Sequence, residues 1–279
     1  MPETPGHRFT RLVDLMRTLR SPDGCPWDRE QTLKTLAPFV LEETYEVLDA
    51  IERGDLDALK EEVGDLIFEG VFLAQVASDA GAFTVADSLR YVTDKLVRRH
   101  PHVFQDDGEV HDAESKARAP SPRAALDRWE SIKADERAAV GKAHQTLSGV
   151  PASLPALLRA YKLGKRAAAV GFDWQRASDV VAKIEEEVGE LREAVTRHPA
   201  DAAHVEEEVG DLLFAVANLC RQLDIEPEAA LRGANDKFAR RFTEVERRFA
   251  DRGKRLDEVT LEEMEEEWRK VKKAMSNEQ

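Results

Sequence analysis

Apolar residues recur along this chain at spacings of three and four rather than two. Val40, Leu41, Val47, Leu48 and Ile51 form one stripe, and Leu59, Val63, Leu66 and Ile67 form the next. Far downstream, Val181, Ile184, Val188 and Leu191, then Val205, Val209, Leu212 and Val216, repeat the arrangement. Residues recurring with a period near 3.6 share a face of an α-helix, so each stripe predicts an amphipathic helix. Gly54-Asp55 and His198-Pro199 separate the two helices of each pair. Strand-like alternation bounded by turns is absent, and the expected fold is all-α, built as antiparallel helical bundles.

Polar motifs repeat in the same order. Glu-Glu-Val-Gly-Asp-Leu occupies Glu61–Leu66 and again Glu207–Leu212, with Phe68 and Phe214 two residues further on. Upstream, Glu43-x-x-Glu46 is matched by Glu187-x-x-Glu190. Downstream, Asp94-Lys95-x-x-Arg98-Arg99 is matched by Asp236-Lys237-x-x-Arg240-Arg241. Three motifs in one order at nearly one spacing indicate a duplicated domain, not a short solenoid repeat. Between the copies, Asp106-Asp107-Gly108, Ala119-Pro120-Ser121-Pro122 and Gly149-Val150-Pro151 carry turn and breaker residues. We therefore expect a helical domain over residues 1–105 and a linker over 106–154. The linker carries one docked helix near Ala124–Val140, with Leu126, Trp129 and Ile132 on one side. A second helical domain spans 155–279.

Composition narrows the function. Hydrophobic residues make up 42% of the 279, enough for real cores, and aromatics only 6%, as in helical bundles. A net charge of −14 argues against nucleic acid or an anionic membrane as partner. No run approaches the roughly 18 apolar residues of a membrane span. Met1 to Arg20 lacks the pattern of a signal peptide. Cys25 and Cys220 sit in unrelated contexts, as expected for two reduced thiols of a cytoplasmic protein. Phosphate-binding glycine loops, nucleophile elbows and Cys-x-x-Cys pairs are missing. His100-Pro101-His102 is too rigid for a ligand pair, and Lys162, Lys165 and Arg166 read as surface.

The acidic motifs are the candidate chemistry. With each helical residue advancing about 100°, Glu43 and Glu62 lie at the margin of their apolar stripes, on the same side. Glu46 and Asp65 lie further round, and Glu187, Glu190, Glu208 and Asp211 repeat the placement. A single helical glutamate is ordinarily solvated surface. Here, however, like charges sit at i,i+3, where they repel. Apolar residues follow each set (Phe68, Val71, Phe72 and Leu73; Leu213, Phe214 and Val216), and the arrangement occurs twice. Converging carboxylates need a cation, and an all-oxygen set suits Mg²⁺ or Mn²⁺ rather than Zn²⁺. Lys237, Arg240 and Arg241 share a helix face, the counterpart a polyphosphate requires. Trp268 is a candidate for stacking on a base, with packing against the bundle as the alternative.

These residues resemble the MazG family of nucleoside triphosphate pyrophosphohydrolases, marked by Glu-x-x-Glu followed by Glu-x-x-Asp on paired helices. The likeness extends to Cys25-Pro26-Trp27-Asp28, Leu41-Glu42-Glu43-Thr44-Tyr45-Glu46, His100-Pro101-His102-Val103-Phe104 and Val170-Gly171-Phe172-Asp173-Trp174. The resemblance implies Mg²⁺-dependent release of pyrophosphate from many NTPs and dNTPs by a homodimer with sites near the subunit contacts, in the service of nucleotide-pool cleansing. It puts the metal ligands on Glu187, Glu190, Glu208 and Asp211, with a second possible set at Glu43, Glu46, Glu62 and Asp65. Nucleotide contacts fall on Lys183, Glu186, Lys237, Arg240, Arg241 and Trp268. His204 stands where similar proteins can carry a Lys. By position, Glu186 or Glu207 is the catalytic carboxylate that orients or deprotonates water. The second domain is the expected catalytic one, because its basic helix continues through Phe242 whereas Arg98-Arg99 runs into His100-Pro101. Two other readings stay open: a non-enzymatic nucleotide-sensing regulator, and a pyrophosphatase narrow for one dNTP or damaged nucleotide.

Overall fold

A computed structural model of the chain describes residues 4–105, 107–111, 121–139, 145–197 and 201–276. Asp106, Ala119-Pro120, Val140 and His198-Pro199, which figure in the sequence reading, lie outside these. The described residues are helical with turns between, apart from one isolated bridge between Phe104 and Val110. None of the described helices is long and apolar enough to cross a membrane. The chain divides into two compact units, Met1–Gly141 and Lys142–Gln279. The break falls within the stretch expected as linker.

The first unit contains α1 (Pro5–Leu19), α2 (Pro26–Glu30), α3 (Leu33–Arg53), α4 (Leu56–Asp79), α5 (Val85–Arg99) and α6 (Pro122–Ala139). Local chemistry sets the ends of these helices. Thr32 and Thr35 form a reciprocal capping box at the start of α3, and Thr84 and Asp87 form another at α5. Gly54 takes a left-handed φ of 66°, and the N–H groups of Gly54 and Asp55 close back on the carbonyls of Ile51 and Ala50. Asp55 then caps α4 by accepting from the Ala58 N–H at 3.0 Å, a contact typically worth about 1 kcal/mol. This tight connection folds α4 back along α3, the most extensive helix pairing of the unit. Met16, Leu36, Val71 and Phe72 form the core, covered by Phe9, Leu12, Phe39 and Phe68.

The second unit contains α7 (Ala156–Ala168), α8 (Ala177–Thr196), α9 (Ala202–Gln222), α10 (Pro227–Ala250), a 3-10 turn (Leu256–Glu258) and α11 (Leu261–Ser276). Helices α8 and α9 pair as α3 and α4 do, and α7 packs against α9. Gly164 makes that approach possible: a Cβ there would run into the buried Asn218 side chain. Asn218 in turn donates to the Phe214 carbonyl and accepts from Arg221. Arg221 forks onto Asp173, and Gln222 donates to the Trp174 carbonyl at 2.9 Å. The loop leading into α8 is thereby fixed to the far end of α9. Val245, Phe249 and Val271 join α10 to α11, reinforced by buried Glu267, which accepts from Arg248 and pairs with Arg252.

The apolar stripes are only partly covered. Leu41, Ile51, Val63 and Ile67 in the first unit are exposed, as are Val181, Val188, Val195, Val209, Leu213 and Val216 in the second. Each acidic helix pair thus buries one flank and leaves another apolar flank in water.

Candidate metal and nucleotide site

In the second unit, Glu187 and Glu190 lie one turn apart on α8, and the antiparallel α9 brings Glu208 to them. Each can offer a carboxylate oxygen within 4.8 Å of those of the other two. Glu187 is only 5% exposed and Glu208 only 9%, unusual for unneutralised glutamates. One cation and one imidazole flank them. Lys183 Nζ lies 2.8 Å from Glu187 and 2.8 Å from Glu186, and these bonds push the Lys183 ammonium pKa upward. His204 Nδ1 lies 3.4 Å from Glu208 and 3.8 Å from Glu207. Burial, then the neighbouring Glu187, pushes the Glu190 carboxyl above its usual range.

The first unit repeats the cluster with Glu43, Glu46 and Glu62, again within 4.8 Å of one another. Desolvation and then Glu46 raise the pKa of both Glu43 and Glu62. A donor set made only of carboxylate oxygens fits a hard divalent cation, and the raised values reflect desolvation first and repulsion between neighbouring carboxylates second.

Not every expected ligand joins these clusters. Asp65 and Asp211 are exposed and stand outside the two groups of three, one turn beyond Glu62 and Glu208 on α4 and α9. The apolar residues after Asp211 (Leu213, Phe214 and Val216) are themselves exposed, and those after Asp65, though Val71 and Phe72 are buried, still leave it open to water. Glu186 and Glu207 point outward beside the cluster, each largely exposed.

The two basic motifs meet different fates. Lys237, Arg240 and Arg241 on α10 make no ion pair among the described residues. Arg98 and Arg99 on α5 are instead both bonded to Glu136 of α6, at 2.7 and 2.6 Å, and Arg99 lies 5.4 Å over the Trp129 ring. Trp268 is half-buried against the α10–α11 core, with its ring 5.3 Å from that of Phe238. Packing holds one side of this indole.

A buried acid absent from the sequence reading is Glu69 on α4. It is 6% exposed, and its Oε2 has no hydrogen-bond partner. Its signal in the sequence is an acid seven residues after Glu62, on the same helix face, inside the apolar run Ile67-Phe68-Glu69-Gly70-Val71.

Comparison with known proteins accords with this geometry. A family model described as the MazG nucleotide pyrophosphohydrolase domain matches twice, at residues 31–104 and 175–245. The chain is 49% identical, over 96% of its length and 98% of the relative's, to a nucleoside triphosphate pyrophosphohydrolase of Escherichia coli strain K12. It is 42% identical, over 96% of both chains, to the nucleoside triphosphate pyrophosphohydrolase/pyrophosphatase MazG of Thermotoga maritima.

Proposed function

The chain belongs to the MazG nucleotide pyrophosphohydrolase family, and we propose that it hydrolyses nucleoside triphosphates, NTPs and dNTPs alike, to monophosphates and pyrophosphate at the α8–α9 cluster. The observation that carries this reading is the convergence of Glu187, Glu190 and Glu208, and it is supported by Lys237, Arg240 and Arg241 of α10, which make no ion pair among the described residues.

Glu187, Glu190 and Glu208 would hold a divalent cation, Mg²⁺ by preference, with Asp211 as the fourth carboxylate. Bound there, the cation supplies the positive charge that lets a triphosphate approach carboxylates, and it acidifies water. Glu186 or Glu207 accepts the proton of the attacking water. The bond between the α-phosphorus and its bridging oxygen breaks, and pyrophosphate leaves. Lys237, Arg240 and Arg241 bind the charge that grows on the departing oxygens. Lys183 neutralises Glu187 and Glu186, and steers the cluster toward an anionic ligand. The exposed edge of Trp268 remains open to a base, and packing against Phe238 keeps the ring oriented.

The exposed stripes call for a partner. Val181, Val188 and Val195 repeat every seventh position on α8, beside Val209, Leu213 and Val216 on α9. A second copy of the chain would cover them and complete a four-helix bundle around the acidic cluster. We place the dimer in the cytoplasm, with Cys25 and Cys220 free, clearing unwanted nucleotides from the pool.

Pyrophosphate release from a panel of NTPs and dNTPs, with Mg²⁺ and with EDTA, tests the reaction. Pyrophosphate and monophosphate in equal amounts, lost in EDTA, are expected. Tight nucleotide binding without turnover would instead make the protein a regulator.

A further inference from the structure

The first unit's basic motif is occupied by the chain's own carboxylate. Arg98 Nε donates to one oxygen of Glu136 at 2.7 Å, and Arg99 donates to the other from Nε at 2.9 Å and Nη2 at 2.6 Å. Two guanidinium groups thus grip one carboxylate, each on its own oxygen, and the same donors suit phosphate oxygens. Hydrogen bonds from Arg99 hold the Glu136 carboxyl below its usual range, so it is ionised at neutral pH.

Among the described residues, little else holds α6 in place. The helix it packs on most is α5. None of its residues belongs to the first unit's buried core or to the apolar side chains that cover it, and Leu126 is exposed. Trp129 meets cations instead: the Arg99 guanidinium lies 5.4 Å from its ring centre and Lys133 Nζ 4.6 Å. The docking is therefore made largely of charge, and ion pairs open to water stabilise weakly. The Arg98 side chain is 54% exposed and that of Glu136 23%, so an anion from solution can reach the pair. A ligand that binds the arginines only when Glu136 has left shifts the balance toward the undocked helix.

We propose that α6 is a latch on the first unit: Glu136 closes an anion site at Arg98 and Arg99, and a diphosphate group that takes these arginines releases the helix. A diphosphate, as free pyrophosphate or as the tail of a nucleotide, can engage both guanidiniums at once, one phosphate on each. The choice of diphosphate rests on the proposed reaction, whereas the latch itself needs turnover in neither unit. Helix α6 lies in the chain between the two matched domains, so its release marks an occupied first unit in the stretch that connects them.

Hydrogen exchange of the α6 amides in the full-length protein, read by mass spectrometry in EDTA, tests the latch. Inorganic pyrophosphate is expected to speed exchange within residues 122–139 by about tenfold or more, and chloride at the same ionic strength is not. An α,β-methylene nucleoside triphosphate, added separately, shows whether a nucleotide tail opens the latch as well; release by either ligand supports the proposal. Glu136→Ala should speed the exchange without any ligand and leave pyrophosphate nothing to add. In calorimetry the same variant should bind pyrophosphate about tenfold more tightly at one site, a gain lost when Arg98→Ala and Arg99→Ala are added. Exchange unmoved by both ligands, or moved equally by chloride, would overturn the proposal. So would a pyrophosphate response that survives in Glu136→Ala, or an unchanged affinity there. None of these outcomes touches pyrophosphate release from NTPs, which tests the proposed reaction by itself.

Discussion

Glu190 illustrates how a residue acquires a role from its neighbours. On its own it is a glutamate on a polar helix face. Placed within 4.8 Å of Glu187 and Glu208 it becomes part of a group of carboxylates able to hold a divalent cation. Replacing it with Gln should lower turnover on the order of 100-fold, as removal of a single charge-stabilising group often does, with helix content by circular dichroism unchanged. Glu46→Gln in the first unit should lower it far less, because Arg98 and Arg99 are bonded to Glu136 while Lys237, Arg240 and Arg241 are not ion-paired among the described residues. Equal losses in steady-state assays of the two variants would mean that both units turn over substrate. The carboxylates themselves were legible in the sequence, because spacing on a helix fixes the face. What spacing leaves open is how far each side chain reaches. Asp65 and Asp211 share a face with their partners yet stand outside the groups of three, and spacing alone does not announce that Glu69 is buried.

At the scale of elements, periodicity and capping chemistry mark most helices well, since Thr32, Asp55, Thr84 and Asp201 all cap where a polar residue precedes an apolar run. Contacts between elements are harder to read. Nothing local to Gly164 announces that α9 packs against it, nor that Asp173 is the partner of Arg221. That pair has a pH signature. Hydrogen bonds from Arg221 hold the Asp173 carboxyl below its ordinary value of 3.8. A depressed folded pKa adds stability above the unfolded value, and that stability is lost as pH falls from about 3.8 through the folded one. Asp173→Asn should therefore lower the melting temperature at pH 7 and flatten its decline below pH 4. A variant that declines with acid as steeply as the parent would show that the pair contributes nothing to acid sensitivity.

For the whole molecule, the largest departure from the sequence reading is exposure. Stripes that read as core, among them Val63 and Ile67 and again Val188 and Val209, are open to water in the chain taken alone. A period of 3.6 shows that a face is apolar, not which molecule covers it. The proposed dimer predicts that Val188→Glu shifts the sedimenting species toward monomer and reduces pyrophosphate release in step with the dimer fraction. A monomer of full activity would detach assembly from catalysis. Duplication has also left the units with one basic signature in two states, and Glu136 makes the difference. A carboxylate tethered on the same chain acts at an effective concentration that reaches the millimolar range for short flexible tethers. A triphosphate seeking Arg98 and Arg99 would compete with that built-in rival, whereas one approaching Lys237, Arg240 and Arg241 meets no ion-paired carboxylate among the described residues. Two nearly identical sequence motifs thus differ in the toll each exacts on an incoming anion.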